Sequence, residues 1–501
     1  MVTLNSSLFT GLSGVRTAQV GLNVSGNNIA NVNTKNYTRQ VADTRISGLG
    51  SGGLGLVVGG GSTVAGINGL RSSIADQLLT REEGRHGFQD TFASGMAEVE
   101  GLLAETEFSG IRASMGQFFD SLEEATLRPA DSGARREVLE LGDRLATEIR
   151  QRDNDLFQFQ SRTNLEVEEV VTRINQLTAE IESLGNGIFR SGNPPQDIVD
   201  ERYRKINELS TLVAIDVYDM GDSRIQVNIK DSNFVLVGED QYELSIALNG
   251  ANNNFYDVQL DNGGATPVDI TAEINGGMLG AKLELRDTEL AGLRRRLDKF
   301  AAGFISQFNA VHTAGFTLSA APNDTGLQFF DPLDPTAGGA PAPPAVDPDR
   351  YAGAASSIAL STQLLVDPLD PDQGFDPNKL ALSDTAGETG NNVVALQMAA
   401  LRTAAVVIDD VGDGTADTGT FERYYSDTMS TFGRTTRNAQ DKLEGQQLLL
   451  DQAQARRDEV SAVNLDEEAV QLTQYQRAFQ ASSRFIGVIN QLTADIINRL
   501  G

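Results

Sequence analysis

Three stretches of this sequence carry residues at spacings that chemistry uses. Gly48, Gly50 and Gly53 match the glycine pattern of a dinucleotide-binding turn. That turn works only between a strand and a helix, where the pyrophosphate meets a helix N-terminus. Here Leu54 to Val58 continue as strand-like chain with more glycine, so the pattern does not carry nucleotide binding. Asp409, Asp413 and Gly414 sit as in a calcium loop, but Val411 takes a ligand position and Thr420 stands where a bidentate Glu is required. His312 has the side chain of a general base. The chain has only one other histidine, His86, and no cysteine, and no nucleophile stands at a useful spacing. His312 therefore reads as a packing or capping residue. With 69 acids, carboxylate pairs occur everywhere and mark no acid–base site. The expectation is a protein that is not an enzyme and holds no metal or cofactor.

Composition narrows the partners. A formal charge of −29 and a pI near 4.4 argue against nucleic acid and against an anionic membrane surface. No apolar run approaches the ~18 residues of a membrane helix, and no cleaved-signal pattern opens the chain. The first 42 residues hold no Asp or Glu, whereas Arg16, Lys35 and Arg39 make them mildly basic. Such a start suits an organelle transit peptide or an interface segment. A matching stripe at the other end favours the interface.

That stripe is a seven-residue rhythm. Leu8, Val15, Leu22 and Ile29 fall one heptad apart, as do Leu465, Leu472, Phe479, Ile486 and Leu500, with Tyr475, Ile489 and Ile496 between. Narrow a/d seams of this kind need a partner helix. Two of them, opening and closing one chain, point to ends that meet each other or meet other copies. The N-terminal stripe is glycine-rich, so the ends are expected to be mobile in the free chain and to order on assembly.

Proline divides what lies between: none precedes Pro129, none follows Pro377, and most of the fourteen lie between Pro322 and Pro377. Both flanks are free to be helical. Residues 41–69 read as extended hairpin-like chain. Val167, Val170, Ile174, Leu177, Ile181 and Leu184 keep a helical beat in a long helix capped near Asp131 or Ser132. Residues 211–274 switch to period two, with hairpin signals at Asn249-Gly250 and Asn262-Gly263. Helix returns at about 278–314 and 420–500. Asn464 and Glu467 have capping-box spacing, and Asp466, Glu467 and Glu468 complement a helix dipole.

The segment around Ala30, Asn31, Thr34, Asn36, Tyr37 and Arg39 resembles the N-terminal signature of flagellar rod, hook and hook-associated proteins. Asn36 stands where that family usually has glycine, and Asn is the residue that next best tolerates a left-handed backbone. The stretches from Ile274 to Leu318, from Asp200 to Val217 and from Ala462 to Leu492 resemble the hook–filament junction branch, with Ala462 in place of a usual glycine. A hook protein, a distal rod protein or a non-flagellar coiled-coil surface fibre is the alternative. The long helix of 133–186 speaks against the first two.

The resemblance implies a structural adaptor between hook and filament, exported by the flagellar type III system without a cleaved signal and found extracellularly in the flagellum. Its implied partners are hook protein, other hook-associated junction and cap proteins, further copies of itself, and a cytoplasmic export chaperone. Asn31, Thr34, Tyr37 and Arg39 join the heptad residues as the expected assembly interface; Leu472, Phe479 and Ile486 are the chaperone candidates. The expected fold is a multi-domain α+β chain: a terminal coiled-coil domain (1–45 with 464–501), a helical body (46–210, 275–318 and 388–463), an inserted β domain (211–274), and a loop-rich insertion (319–387) with little core of its own.

Overall fold

The computed structural model describes residues 2–34, 36–47, 50–51, 57–58, 60–106, 109–191, 194–221, 223–264, 266–318, 325–332, 351–408 and 417–500. The Gly48–Gly53 pattern and the Asp409–Gly414 stretch fall largely or wholly outside the described residues, as does the side chain of Leu500.

In chain order, α1 (Val2–Ala30) leads into β1 (Gln40–Ile46), the two-residue strands β2 (Gly50–Ser51) and β3 (Val57–Val58), and β4 (Ser62–Gly69). Helices α2 (Ser73–Leu102), α3 (Ile111–Leu127), α4 (Ser132–Ser191) and α5 (Gln196–Leu212) follow. Strands β5 (Ile215–Gly221), β6 (Arg224–Ile229), β7 (Val235–Val237), β8 (Leu244–Asn249), β9 (Phe255–Leu260) and β10 (Val268–Asp269) come next. Then come α6 (Gly277–Glu284), a π-helical turn at Leu285–Leu290, α7 (Ala291–His312) and α8 (Ala354–Ser357). The chain closes with β11 (Leu365–Asp367), β12 (Asp370–Phe375), α9 (Val393–Ala400), β13 (Val406–Ile408), β14 (Asp417–Gly419), α10 (Phe421–Ser461) and α11 (Leu465–Leu500). This is the α+β architecture expected, with long helices at both ends and small antiparallel sheets in the middle.

Two compact units form: residues 1–90, 168–281 and 443–501 make the first, and 91–167 with 282–442 the second. The cut differs from the four-part division expected above, and the reasons are local contacts. In the first unit the β strands are tied to α4 by Asn175, which donates to Leu244 O (2.7 Å) and accepts from Leu244 N (2.9 Å). The strands form two three-stranded antiparallel sheets, ordered β5-β6-β7 and β10-β9-β8. The β8–β9 hairpin closes through Asn253 and Asn254, both at positive φ (50° and 57°), so the turn needs no glycine there. The hairpin of 41–69 pairs Gln40 with Gly69 through to Ile46 with Ser62.

In the second unit the Pro-rich stretch is no appendage. Its described part supplies Phe329, Phe330, Ile358, Leu360, Leu364 and Leu380 to the same core as α3, α7 and α10. Phe118, Phe304, Phe308 and Phe421 are likewise fully buried. Phe304 lies 4.6 Å from the ring of Phe308 and 4.7 Å from that of Phe421. Three polar clips hold the irregular chain against this core. Asn309 accepts from the backbone N–H of Phe329 (2.8 Å) and Phe330 (2.9 Å). His312 accepts the Ala381 N–H at Nε2 (2.9 Å), so its proton sits on Nδ1 and goes to Leu327 O (2.7 Å). Burial pushes this imidazole down to about 4, in keeping with a packing residue. Arg135, buried on α4, donates to the carbonyls of Pro129, Pro377 and Leu380. The cap of α4 is Asp131, whose carboxylate accepts from Gly133 N (2.8 Å) and Ala134 N (3.0 Å).

Candidate functional site: a polar clasp between the chain ends

Helices α1 and α11 pack side by side in the first unit, and small residues make the contact. Gly11, Ala18 and Ser25 recur every seven residues, as do Gly14, Gly21 and Asn28; all but the half-buried Gly14 are buried. A Cβ on Gly21 would lie 2.4 Å from the Tyr475 ring, and one on Gly11 2.7 Å from Ile486 Cγ1. The glycines read above as a source of mobility are thus the positions where side chains of α11 lie against the α1 backbone. The stripe of Leu8, Val15, Leu22 and Ile29 flanks this seam and is half-buried. On α11, Leu472, Tyr475, Ile486 and Ile489 are half-buried, while Leu465 (50%), Phe479 (36%) and Ile496 (43%) are exposed.

The signature residues sit where α1 ends and α11 begins. Asn36 takes φ 64°, the left-handed backbone its position requires. Its carbonyl accepts from the guanidinium of Arg457 (2.8 Å), which also reaches Thr38 Oγ1 (3.3 Å). Arg39 donates its backbone N–H to Ser461 O (2.8 Å), and its side chain pairs with Glu468 (2.7 Å) and Glu467 (2.6 Å). Burial works against the Arg39 charge, but the hydrogen bonds and charges of Glu468 and Glu467 outweigh it and raise its pKa. Asn464 caps α11 by accepting from Asp466 N (3.0 Å) and Glu467 N (3.4 Å). Glu467 turns its carboxylate to Arg39, so the reciprocal arm of the capping box is replaced by an ion pair.

Tyr37 closes the other side. Its hydroxyl donates to Asn28 Oδ1 (3.0 Å) and accepts from Asn27 (3.3 Å), and burial, followed by Asp200 and Glu468, pushes its pKa up to about 12. Asn28 in turn exchanges two hydrogen bonds with the backbone of Gln40. Asp200 of α5 accepts from Thr38 N (3.0 Å) and pairs with Arg71 (3.1 Å). Asn31 and Thr34 hydrogen-bond each other (3.3 Å) and line an open cleft of about 810 Å³ with Tyr37, Asp197 and Glu201.

The clasp therefore gathers Asn31, Thr34, Tyr37 and Arg39 with Asn28, Asp200, Arg457 and Ser461, which the sequence did not mark, and with Glu468, marked there only as a helix-dipole partner. The small-residue heptad was a usable signal for the seam. No local signal links Arg457 or Asp200 to residues 36–38. The chemistry is that of fixed geometry: charged and amide groups tied to one another join the end of α1 to the start of α11.

Comparison with known proteins accounts for this arrangement. The model of flagellar basal body rod proteins matches residues 8–38, and that of the FlgEFG rod protein C-terminal region matches 454–500, the two sides of the clasp. The helical domain of the flagellar hook-associated protein FlgK matches 96–330. Flagellar hook-associated protein 1 of Bacillus subtilis is 27% identical over 99% of both chains. That of Escherichia coli is 27% identical over 65% of this chain and 60% of its own length. The solved hook junction protein FlgK of Burkholderia pseudomallei aligns with TM-score 0.63 over 77% of this chain and 100% of that one, at 14% identity, which establishes the fold. The two ends of the chain are similar to those of axial flagellar proteins. Within that class the chain is similar to flagellar hook-associated protein 1 over its whole length.

Proposed function

We propose that the chain is a structural adaptor joining the flagellar hook to the filament, exported through the flagellar type III apparatus and self-assembling at the hook tip. The observation that supports this best is the α1–α11 pair, clasped at one end and incompletely covered along its length. Phe9 (67%), Val470 (55%), Val488 (52%), Leu492 (47%) and Ile497 (64%) stay exposed beside the seam. Apolar surface left on paired helices is what neighbouring subunits of a tube bury. The assembly interface then comprises the heptad residues, Leu8 through Ile29 and Leu465 through Leu500, with Asn31, Thr34, Tyr37 and Arg39 fixing the helices' exit.

The partners follow from that reading: hook protein on one side, other hook-associated junction and cap proteins on the other, and copies of the chain around the ring. Before export, Leu472, Phe479 and Ile486 form one face that a helical chaperone groove covers; after export the face turns to α1 and its neighbours. Loss of the gene should leave cells with bare hooks that shed flagellin into the medium. Filaments attached normally in the deletion strain would refute the junction role. Phe479→Asp should weaken both chaperone pull-down and filament attachment, and leaving both intact would remove the shared-face assignment.

A further inference from the structure

Five Asn-Gly pairs lie in the sequence, at Asn68, Asn186, Asn249, Asn262 and Asn275. Each is a latent reaction centre, because the nitrogen of a following glycine, shielded by no Cβ, can close on the asparagine side-chain carbon. Folding removes that freedom from four of them. Asn68 and Gly69 are paired along β4, and Asn186 and Gly187 lie inside α4, where backbone hydrogen bonds fix the chain. Gly276, which follows Asn275, is buried, and its carbonyl accepts from Ala214 N (3.2 Å). Asn249 ends β8 opposite Phe255, and its side-chain Nδ2 donates to Asp257 (2.8 Å).

Asn262 is different. It sits with Asp261, Gly263 and Gly264 in the exposed connection between β9 and β10. The Gly263 N–H, on the nitrogen that would attack, donates to Asp261 Oδ1 (2.9 Å). Asn262 Oδ1, the oxygen of the carbonyl that would be attacked, accepts from Gly264 N (3.1 Å). Its Nδ2, the group that would leave, donates no hydrogen bond among the described residues and stands open to water. A base on the nucleophile, a donor on the oxygen that gains charge and a free leaving group are the parts of an acyl-transfer site.

We propose that Asn262 is a self-modification site, at which the folded chain slowly deamidates itself. Asp261 takes the Gly263 N–H proton as that nitrogen bonds to Asn262 Cγ, and Gly264 N–H meets the charge on the oxygen. The proton passes on to Nδ2, the bond from Cγ to Nδ2 breaks, and ammonia leaves a five-membered imide. Water then opens the imide at either carbonyl to give aspartate or isoaspartate. Both products add a negative charge beside Asp261, and isoaspartate adds a main-chain carbon between β9 and β10. β10 is the two-residue edge of its sheet, held by Val268 opposite Leu260 and Asp269 opposite Gln259, so the added length loosens that edge with age. The inference does not depend on the junction reading.

The test holds the purified full-length chain at mildly alkaline pH in water enriched in heavy oxygen, then reads its peptides by mass spectrometry. Each product should carry one heavy oxygen from the opening of the imide. Conversion at Asn262 should exceed that at Asn249 by about tenfold or more, because the hydrogen bond from Asn249 to a charged group must first break. In urea the two rates should converge, with Asn262 reacting no faster there than in the folded chain. Asp261→Ala should slow Asn262 severalfold in the folded chain and leave its rate in urea unchanged. Equal conversion at Asn249 and Asn262 in the folded chain overturns the site. So does slower conversion of Asn262 in the folded chain than in urea, or an unchanged folded rate in Asp261→Ala.

Discussion

The α1–α11 seam and the aromatic core of the second unit are both helix packings, built on opposite rules. The core is filled by volume: Phe118, Phe304, Phe308, Phe329, Phe330 and Phe421 are fully buried, and each ring lies within about 6 Å of at least one other. The seam is defined by absence of volume on one side: Gly11, Gly14 and Gly21 let Ile486, Ser482 and Tyr475 lie so close to α1 that no Cβ fits. A filled core is stable by itself. A small-residue seam gains little buried area per residue, so more of its hold falls to the clasp at its end. The difference sets a core closed by its own side chains against a helix pair whose flanks stay exposed.

Removing volume from one region and adding it to the other is the strongest test of this contrast. Phe308→Ala should destabilise the second unit by about 3–5 kcal/mol in urea unfolding, because the cavity cannot collapse among so many rings. Gly21→Ala tests the seam by sign. Helix propensity alone would stabilise α1 by about 0.8–1 kcal/mol. The Cβ would meet three Tyr475 ring carbons at 2.4–2.5 Å, and overpacking of this kind costs about 1–3 kcal/mol. A net loss of α1 hydrogen-exchange protection is expected, and a gain would show that the seam does not close as described.

Arg39→Ala probes the clasp. It leaves Glu468, 2% exposed, without its partner, and an unmet buried acceptor costs about 1–3 kcal/mol. Amides at the start of α11 should exchange about ten- to a hundredfold faster. Arg39→Lys should rescue only in part, since one ammonium cannot reproduce the fork that meets two carboxylates. Unchanged exchange would mean the ion pair does not hold α11.

How much of this was legible in the sequence depends on range. Periods were readable: the stripe from Val167 to Ile181 is buried on α4, Asp131 caps that helix, and the two-period strands of 211–274 form sheets. Glycines were read by propensity, which hides a close approach unless the partner helix is known. The stretch 319–387 looked structureless because Pro and Gly dominate it, yet Phe329-Phe330 and the leucines at 360, 364 and 380 anchor it through clips from Asn309, His312 and Arg135. In the clasp, Arg39 and Tyr37 were visible through the family signature. Arg457 and Asp200 lie hundreds of residues away or on another helix, where no periodicity points to them.

The core also holds a charge that pH can test. Asp298 is 7% exposed, and burial pushes its carboxyl up to about 6, with the Ala355 N–H bond opposing and Asp153 reinforcing the shift. A folded pKa above the unfolded value means this group's stability is fully present below about pH 3.8 and lost as pH rises through about 6. Asp298→Asn removes the buried charge while its amide oxygen can still accept from Ala355 N. The variant should gain about 1–2 kcal/mol over the natural chain at pH 7.5 and nothing near pH 3.5. A gain of the same size at both pH values would assign the effect to packing instead of charge.

The smallest effect is expected at the residue where the family signature is altered. Asn36 occupies φ 64° with its carbonyl held by Arg457, and its Oδ1 is buried with no hydrogen-bond partner. Glycine at this position relaxes the left-handed backbone and removes the unmet oxygen, both favourable. It also frees the unfolded chain, which costs about 0.4–1 kcal/mol. These terms nearly cancel, so Asn36→Gly should change stability by no more than about 0.5 kcal/mol and leave motility intact. Asn36→Val keeps none of the gains and places a β-branched side chain at positive φ, a genuine outlier. The turn then shifts, Arg457 loses the carbonyl it holds, and the clasp opens at its tightest point. Swimming and filament attachment should survive Asn36→Gly and fail with Asn36→Val. Normal motility with valine would show that the clasp's geometry does not depend on this turn, and that the seam alone aligns the chain ends.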